Sequence, residues 1–181
     1  MKILFTRHGE TDYNKNDIIL GTTDLPLNSA GIAQATAVAE EIALNYKPEI
    51  IYSSPLIRAF ATSKQISERI GVKIITDRRL SEWNYGKYEG KGRYHGNFQA
   101  AKSEFGVRMG VTGETLLMLA HRVYSFLDEI ISKSNYQNIL IVSHGGVSRV
   151  FKAYFEDVTN DEYKDILIKN CEVWEFNIKA I

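Results

Sequence analysis

The chain has 181 residues, a length that fits a single domain over residues 1–181 and lets roughly 70% of the unfolded chain's surface be buried. Its 22 basic and 22 acidic residues cancel, so the charge balance gives no support to binding of nucleic acid or of an acidic membrane. The apolar run before Thr6 is too short for a signal peptide, and no run approaches the ~18 residues of a membrane span. We therefore expect a soluble cytoplasmic protein with no nucleic-acid or membrane partner.

Cys171 is the only cysteine of the chain. An intramolecular disulfide and a cysteine-based zinc site are therefore excluded. The apolar residues that follow it predict that Cys171 is a small core residue on the last strand.

Short apolar runs alternate along the chain with helical periodicities. The apolar runs predict strands at residues 1–6, 50–52, 72–76, 138–142 and 171–178. Apolar residues at spacings of three and four predict helices from residue 28 or 29 to about 46, and at 55–71, 98–105, 116–130 and 146–155. The inward face of the second of these helices is predicted to carry Leu56, Phe60, Ser63, Ile66 and Ile70.

Two segments, residues 12–27 and 78–96, lack periodicity and contain turn-forming residues, which predicts loops. The first is a long excursion on the surface that leaves directly from His8. Because long loops in compact domains are often functional, we expect it to form a wall of the site.

Alternating strands and helices predict an α/β three-layer sandwich with a mostly parallel central sheet and helices on both faces. In such sheets, ligands bind outside the carboxyl ends of the strands. Arg7 and His8 follow the first strand, and His144 follows the fourth. The sequence therefore predicts that these side chains meet in one site.

The first of these segments, Thr6-Arg7-His8-Gly9-Glu10-Thr11, has the chemistry of a phosphate-handling site. A neutral imidazole is nucleophilic near pH 7, and an adjacent guanidinium offers a planar set of donors to phosphate oxygens. Glycine allows the backbone to approach an anion. Taken by itself, His8 could equally be a hydrogen-bonded turn residue.

This segment, followed by Asn14, resembles the signature of the histidine phosphatase superfamily, also called the phosphoglycerate mutase-like family. Further blocks that resemble the family follow in its order and cover residues 3–149. They are Gly21 with Asp24-Leu25-Pro26-Leu27, Gly31 and Gln34-Ala35; Ser53-Ser54-Pro55-Leu56 with Arg58-Ala59; Leu80 with Glu82, Gly86 and Glu89-Gly90; Gly113-Glu114-Thr115; and Val142-Ser143-His144-Gly145-Gly146 with Arg149. The chain departs from the pattern at Phe60-Ala61-Thr62, where a glutamine often stands, and at Thr112, where a proline often precedes the Gly-Glu block.

The resemblance implies a role for each matching catalytic residue. His8 would attack phosphorus and form a phosphohistidine, which splits one transfer into two steps. Arg7, Arg58 and His144 would hold the non-bridging oxygens of the phosphoryl group. Glu82 would protonate the leaving oxygen and then deprotonate the attacking water. By itself, Glu82 could be a solvated loop carboxylate.

The resemblance also implies a site for a small-molecule phosphate ester, with no metal and no cofactor. Its substrate-binding residues would be Asn14, Gly21, Thr22 and Gly145. Other acidic residues and histidines are weaker candidates for catalytic roles. Glu10 or Glu114 could replace Glu82 as the proton donor, although a carboxylate at a helix start is also an ordinary stabiliser of the helix dipole. His121 is expected at the surface. His95, in a glycine-rich loop, could touch the substrate, although we do not favour this.

Two features of residues 83–108 bear on the substrate. Lys87, Lys91, Arg93, Lys102 and Arg108 outnumber the acidic residues of this segment, and they form either a solvated face, which we favour, or a charged wall for a polyanion. We expect the aromatic residues to pack the loop rather than stack on a substrate ring. They are Trp83, Tyr85, Tyr88 and Tyr94.

The resemblance covers both phosphatases and mutases. Mutases resemble longer chains, whereas only residues 91–112 separate Gly90 from Gly113 here. Less cover should let water reach a phosphohistidine, which favours hydrolysis. The expected function is therefore a phosphomonoesterase that acts on a phosphorylated small metabolite. The alternatives are a mutase-type phosphoryl transferase, a regulator that binds phosphometabolites without turnover, and a metal hydrolase that uses His8 and His144.

Overall fold

The computed structural model describes residues 1–178, built around a five-stranded sheet. Strands β1 to β4 are parallel, and β5 pairs antiparallel with β1. The spatial order is β3-β2-β4-β1-β5, in which the strands are β1 (Lys2–Arg7), β2 (Ile50–Ser53), β3 (Ile74–Thr76), β4 (Asn138–Ser143) and β5 (Val173–Asn177). The prediction of a mostly parallel α/β sheet is confirmed.

Seven α-helices lie within the described residues. They are α1 (Asp12–Lys15), α2 (Ser29–Asn45), α3 (Ile57–Ile70), α4 (Phe98–Lys102), α5 (Leu116–Lys133), α6 (Gly145–Phe155) and α7 (Asn160–Asp165). Single turns of 3₁₀ helix occur at Arg78–Leu80 and Gly86–Tyr88. None of the helices within residues 1–178 combines the length and apolar composition needed to cross a membrane.

Strand β1 shows how the sheet is buried on both faces. Successive side chains of a strand point to opposite faces. Ile3 and Phe5 accordingly pack with the apolar faces of α5 and α6, whereas Leu4 packs with α2 and α3. Strand β4 divides its side chains between the same two clusters. The three-layer arrangement predicted from the sequence is therefore confirmed.

The helix boundaries follow from local capping. The Asn28 side chain accepts a hydrogen bond from Gly31 N at 2.8 Å and begins α2. The Thr115 hydroxyl does the same for Met118 N at 3.1 Å at the start of α5. Helix α3 ends at Gly71, whose φ of 72° suits a residue without a side chain.

The inward face of α3 differs from the prediction. Phe60 is 40% exposed, so its predicted place in the core is wrong. The residues that α3 buries are Arg58, Ala59, Thr62, Ser63 and Ile66. The helix turns a polar stripe inward because, as the next section describes, Arg58 reaches the end of β1 from there.

Two further predictions need correction, and one helix was not predicted. Cys171 is buried, but it lies in a turn with φ 58° before β5 rather than on the strand. The 12–27 segment is not purely a surface loop, because it contains α1 and buries Ile19 and Leu20. The sequence did not reveal α7, which buries no residue. The single domain over 1–181 stays a prediction, and residues 179–181 lie outside the described part.

Candidate active site

The ends of β1 and β4 bring two histidines together. The strands pair in register up to Arg7 and Ser143, and His8 N donates to Ser143 O at 3.0 Å. The residue that follows each of the two strands is a histidine. The ring centroids of His8 and His144 lie 5.1 Å apart, edge to face. Both side chains are buried. The predicted meeting of the two segments is present in the structure.

The hydrogen bonds of His8 fix its tautomer. Nδ1 lies 2.6 Å from Gly9 O, and because a carbonyl can only accept, the ring proton is on Nδ1. Nε2 therefore carries a lone pair, which accepts a hydrogen bond from Arg58 Nε at 3.2 Å. Burial, and then the charges of Arg58 and Arg7, hold the pKa of His8 well below its usual value. At neutral pH the imidazole is uncharged, with Nε2 as its basic atom.

Arg58 is held over His8 by the loop that contains Gly21. Its Nη2 donates to Gly21 O at 2.7 Å, and its Nη1 donates to Thr23 O at 3.0 Å. Burial lowers the pKa of Arg58 to about 10, so the guanidinium remains charged at neutral pH. The carbonyls orient this cation without neutralising it.

Glu89 shapes that loop. Its Oε1 accepts from Thr22 N at 2.9 Å, from the Thr22 hydroxyl at 3.1 Å and from Tyr85 N at 3.1 Å. Its Oε2 accepts from Thr23 N at 2.9 Å and from the Thr23 hydroxyl at 2.6 Å. A Cβ at Gly21, whose φ is 57°, would overlap the Glu89 carboxylate. One carboxylate therefore sets the positions of the carbonyls that hold Arg58.

Within residues 1–178, two buried nitrogen atoms near His8 have no hydrogen-bond partner. The first is Nδ1 of His144, whose Nε2 contacts the Ser54 hydroxyl at 2.7 Å. The second is Nε of Arg7, whose Nη1 donates to Ile168 O at 3.1 Å. Burial, and then the charge of Arg58, lower the pKa of His144 well below its usual value, so it is neutral. Unsatisfied buried groups of this kind are rare and suit a bound anion.

Glu82 lies against the start of α6, the helix that follows His144. It is 8% exposed, and its oxygens accept from Trp83 N at 2.8 Å and Gly146 N at 3.0 Å. A Cβ at Gly146 would overlap the carboxylate, so the start of α6 can approach Glu82 only because a glycine stands there. The carboxyl group is thereby fixed at the site.

A small cavity of about 80 Å³ opens beside these groups. That volume is about five times the ~15 Å³ that one water requires. Four cations and one acid line it, namely Arg7, Arg93, Lys102, Arg149 and Glu82. Arg58 and the two histidines do not line the cavity, because they are buried and Arg58 covers His8 Nε2.

Comparison with known proteins assigns the chain to a family. The model of the histidine phosphatase superfamily (branch 1) matches residues 3–180. The chain belongs to this superfamily. A protein of Hydrogenobacter thermophilus, provisionally named phosphoserine phosphatase 2, is 33% identical over 99% of this chain and 90% of its own length. Phosphoglycerate mutase-like protein 4 of Arabidopsis thaliana is 34% identical over 82% of this chain and 68% of its own.

A solved structure agrees with the family assignment. Phosphoserine phosphatase from Entamoeba histolytica, in complex with 3-phosphoglyceric acid, superimposes with a TM-score of 0.82. It is 28% identical, and the match covers 97% of this chain and 90% of that protein. The relatives of this histidine phosphatase therefore carry both phosphatase and mutase-like names.

The residues predicted to bind substrate in this histidine phosphatase fall into two groups. Asn14, Gly21 and Gly145 line the cavity. Asn14 also accepts from Thr11 N at 3.2 Å, which closes a capping box at the start of α1. Thr22 is not among the lining residues, and its amide and hydroxyl are both bonded to Glu89.

The alternative acids and histidines have other surroundings. Glu10 accepts from the Asn28 side chain at 2.9 Å. Glu114 accepts from Asn84 N at 3.0 Å and pairs with Arg122 at 2.8 Å. Among the described residues, neither acid lines the cavity. The expectation that His121 lies at the surface is confirmed, since it is exposed. His95 is also exposed, and it is not among the described residues that line the cavity.

The basic residues of the segment 87–108 divide in two. Lys87, Lys91 and Arg108 are exposed, as a solvated face requires. The preference for a solvated face is wrong for Arg93 and Lys102, which line the cavity. The packing expected for Trp83, Tyr85 and Tyr88 is confirmed because all three are buried, whereas Tyr94 is 82% exposed and does not share it.

Three supporting residues had no role in the sequence analysis. The Ser54 hydroxyl contacts His144, the Thr62 hydroxyl accepts from Gly9 N at 3.1 Å, and Glu89 holds the Gly21 loop. All three lie in or beside the sequence blocks that resemble the family. That position is the signal by which the sequence could have identified them. Their contacts are made across the fold, so only the structure reveals them.

The described residues offer little to a metal. Within residues 1–178, no group of three or more His, Cys, Asp or Glu side chains is arranged to hold a metal ion. The acid at the cavity wall, Glu82, is bonded through both oxygens to backbone amides.

Proposed function

We propose that this histidine phosphatase hydrolyses the phosphate ester of a small metabolite through a phosphohistidine on His8. The observation that carries the proposal is the state of His8, whose Nδ1 is protonated toward Gly9 O while Nε2 keeps its lone pair. A buried, uncharged imidazole with a fixed tautomer is prepared to attack phosphorus.

In the first step, Nε2 forms a bond to phosphorus and the bond from phosphorus to the ester oxygen breaks. Arg58 must first turn its Nε–H from Nε2 to a phosphoryl oxygen, which frees the lone pair. The unpartnered Nε of Arg7 supplies another donor to the phosphoryl oxygens. When the Ser54 hydroxyl donates to His144 Nε2, the Nδ1–H of His144 supplies a third. Such fixed donors stabilise charge in the transition state.

Glu82 acts on the proton of the leaving group. It lies at the cavity wall, held by two backbone amides. In the first step it gives a proton to the departing oxygen, so an alcohol leaves. In the second step it accepts a proton from water as that water attacks phosphorus. The bond from phosphorus to Nε2 then breaks, which regenerates His8 and releases inorganic phosphate.

The short cover over the site favours hydrolysis over transfer. Between Gly90 and Gly113 the chain forms only one helix of five residues, α4. The curated relatives with phosphatase names include one that aligns over nearly the whole chain. Water that reaches the phosphohistidine completes hydrolysis. A mutase would instead return the phosphoryl group to an acceptor hydroxyl with little free phosphate.

Phosphate release tests the proposal. The wild-type protein should release phosphate from p-nitrophenyl phosphate, and His8→Ala should lower kcat by at least ~10³-fold. The exposed His121 provides the matched control, and His121→Ala should keep wild-type activity. When wild type is mixed with a substrate labelled on its phosphoryl group and the protein is denatured at once, an acid-labile, base-stable label should remain on the protein. That label should be missing in His8→Ala.

Each alternative has its own result in this experiment. Undiminished phosphate release by His8→Ala would contradict the mechanism. Binding of the ester without release by wild type would indicate a regulator. Activity that is lost in chelator and restored by a divalent ion would favour a metal hydrolase.

A further inference from the structure

We propose that Asn170 and Thr62 are positioning residues that hold His8 in its nucleophilic form. They fix the two ends of the peptide group between His8 and Gly9. Through that peptide group they fix the Gly9 carbonyl, which accepts the Nδ1 proton of His8. The effect on turnover rests on the proposed function, whereas the state of the imidazole can be measured without any substrate.

Gly9 must follow His8, yet a glycine does not hold its own backbone conformation. A Cβ at Gly9 would overlap the carbonyl of Gly31, near the start of α2, so a larger residue does not fit. Glycine also has the widest range of backbone conformations. The Gly9 carbonyl lies 2.6 Å from His8 Nδ1 and determines which ring nitrogen carries the proton. Contacts from other parts of the fold must therefore keep this carbonyl in place.

Both ends of the peptide group between His8 and Gly9 are hydrogen-bonded to side chains. Asn170 Nδ2 donates to His8 O at 2.7 Å. At the other end, Gly9 N donates to the Thr62 hydroxyl at 3.1 Å. That hydroxyl donates its own proton to Arg58 O at 2.9 Å, so it acts as an acceptor toward Gly9. A donor and an acceptor from distant parts of the chain therefore fix the plane of this peptide group.

The next peptide group, which contains the Gly9 carbonyl, has a side-chain contact of its own. Gln34 Oε1 accepts from Glu10 N at 2.8 Å. Rotation about the bonds of Gly9 would carry its carbonyl away from the imidazole. Because side chains hold the peptide groups on both sides of Gly9, that rotation is restricted.

The turn that carries Asn170 is attached to the end of β1. Cys171 N donates to Arg7 O at 2.9 Å. Ile168 O accepts from Arg7 Nη1 at 3.1 Å, and the Ile168 side chain is fully buried. The turn is therefore packed against the strand, and Asn170 reaches His8 O from a fixed base.

The position of the Gly9 carbonyl matters most when substrate binds. In the free protein, the Nε–H of Arg58 also favours a lone pair on His8 Nε2. The proposed mechanism moves that donor to a phosphoryl oxygen, and the Gly9 carbonyl is then left to keep the proton on Nδ1. If the carbonyl moves away, the proton can occupy Nε2, which removes the lone pair that attacks phosphorus. Asn170 and Thr62 thus act on the reaction through Gly9.

NMR of the histidine side chains tests the positioning without substrate. The chain has four histidines, and His8→Ala identifies the signal of His8. In wild type, the Nδ1–H proton should resonate far downfield and exchange slowly with water. Asn170→Ala and Thr62→Val should each move this signal upfield and raise its exchange rate about 3- to 10-fold, as expected for one lost hydrogen bond. Thr62→Ser keeps the hydroxyl and should restore the wild-type signal.

The kinetic consequence is slow formation of the phosphohistidine. In rapid mixing with p-nitrophenyl phosphate, Asn170→Ala and Thr62→Val should lower the maximal burst rate by about 10- to 100-fold. The substrate concentration at half-maximal rate should change less than about threefold, because Arg7 and Arg58 still hold the phosphoryl oxygens. The control is Asn177→Ala, at an exposed asparagine whose amide donates to Glu175 at 3.0 Å. It should leave the signal and the burst rate unchanged.

The two variants lie on separate elements, Asn170 in the turn before β5 and Thr62 in α3, so either one that folds decides the test. A wild-type burst rate, or a slower burst with an unchanged Nδ1–H signal, would overturn the proposal. Equal losses in Thr62→Ser and Thr62→Val would also overturn it, as would failure of both positions to tolerate substitution in a folded protein. If the signals change as expected but wild type forms no phosphohistidine, the positioning stands and the proposed function fails.

Discussion

Arg58 Nε donates a hydrogen bond to His8 Nε2 across 3.2 Å, so the proposed nucleophile is covered by the cation that would donate to the oxygens of the incoming phosphoryl group. The same guanidinium is held by two loop carbonyls, at 2.7 and 3.0 Å. Substrate binding must therefore replace the hydrogen bond from Arg58 to His8, while the hydrogen bonds to the two carbonyls keep the guanidinium in place. Arg58 thereby links access to His8 with stabilisation of the phosphoryl charge.

The substitution Arg58→Lys should lower kcat by roughly 10²- to 10³-fold. A lysine keeps the charge but lacks the planar fork that reaches both carbonyls and the phosphoryl group together. Rapid-mixing kinetics with p-nitrophenyl phosphate should show that formation of the phosphohistidine becomes slow. Arg69→Lys on the exposed part of α3 is the control and should leave the kinetics unchanged. Wild-type kinetics in Arg58→Lys would contradict the role given to this residue.

The substitution Glu89→Gln should affect both stability and catalysis. Five donors surround the carboxylate, and an amide presents its NH₂ group to some of them. We expect the free energy of unfolding in urea to fall by about 1–3 kcal/mol. Displacement of the Gly21 and Thr23 carbonyls would misplace Arg58, so kcat should fall by about 10- to 100-fold.

The control for this prediction is Glu104→Gln, at an exposed residue outside the loop. If Glu89→Gln is less stable but turns over substrate like wild type, then the conformation of the loop does not determine the orientation of Arg58. That result would contradict the positioning role of Glu89.

The substitution Glu82→Gln should have an effect that depends on the leaving group. An alkoxide needs a proton as it departs, whereas nitrophenolate leaves readily without one. We expect kcat to fall by roughly 10²- to 10⁴-fold with glycerol 3-phosphate, and by much less for transfer from p-nitrophenyl phosphate to His8. The comparison requires the burst of nitrophenol, because the later hydrolysis of the phosphohistidine also uses Glu82. An equal loss in kcat with glycerol 3-phosphate and in the burst rate with p-nitrophenyl phosphate would contradict proton donation by Glu82.

The sequence predicts features that depend on a residue's position within its own strand or helix, and it fails where contacts across the fold decide. The approach of His8 and His144 was predictable because each follows a parallel strand, and the carboxyl ends of such strands share an edge. Phe60 was misplaced because hydrophobicity suggested the core, while the inward face of α3 is used by Arg58. Helix α7 has no apolar stripe, although the capping box of Thr159 and Glu162 was a usable signal.

The sequence could not predict in the same way which basic side chains line the cavity. Counting charges over residues 87–108 gives five basic side chains but not their directions. Lys102 turns toward the cavity because Phe98 is buried beneath α4, and Lys87 does not because it follows a different turn. The direction of a charge is set by the packing of its neighbours, which sequence periodicity cannot resolve in a helix of five residues.

The pH dependence of substrate binding should report Lys102, which lines the cavity. Its pKa is lowered to about 8, so the ammonium is charged at pH 7 and mostly neutral at pH 9. The groups that face it are Arg149 from α6, Arg93 from the preceding loop, and Glu82 across the cavity. A phosphate monoester stays largely dianionic over the same range.

If only the charged form of Lys102 helps to hold the anionic substrate, KM for glycerol 3-phosphate should rise by up to about tenfold from pH 7 to pH 9, since apparent affinity scales with the competent fraction. Lys102→Arg should hold KM nearly constant because arginine stays protonated, and Lys102→Met should start at the higher KM and show no rise. The comparison with Lys102→Arg cancels effects of pH on the phosphoryl site. A constant KM in wild type, or a rise that persists in Lys102→Met, would remove Lys102 from substrate binding.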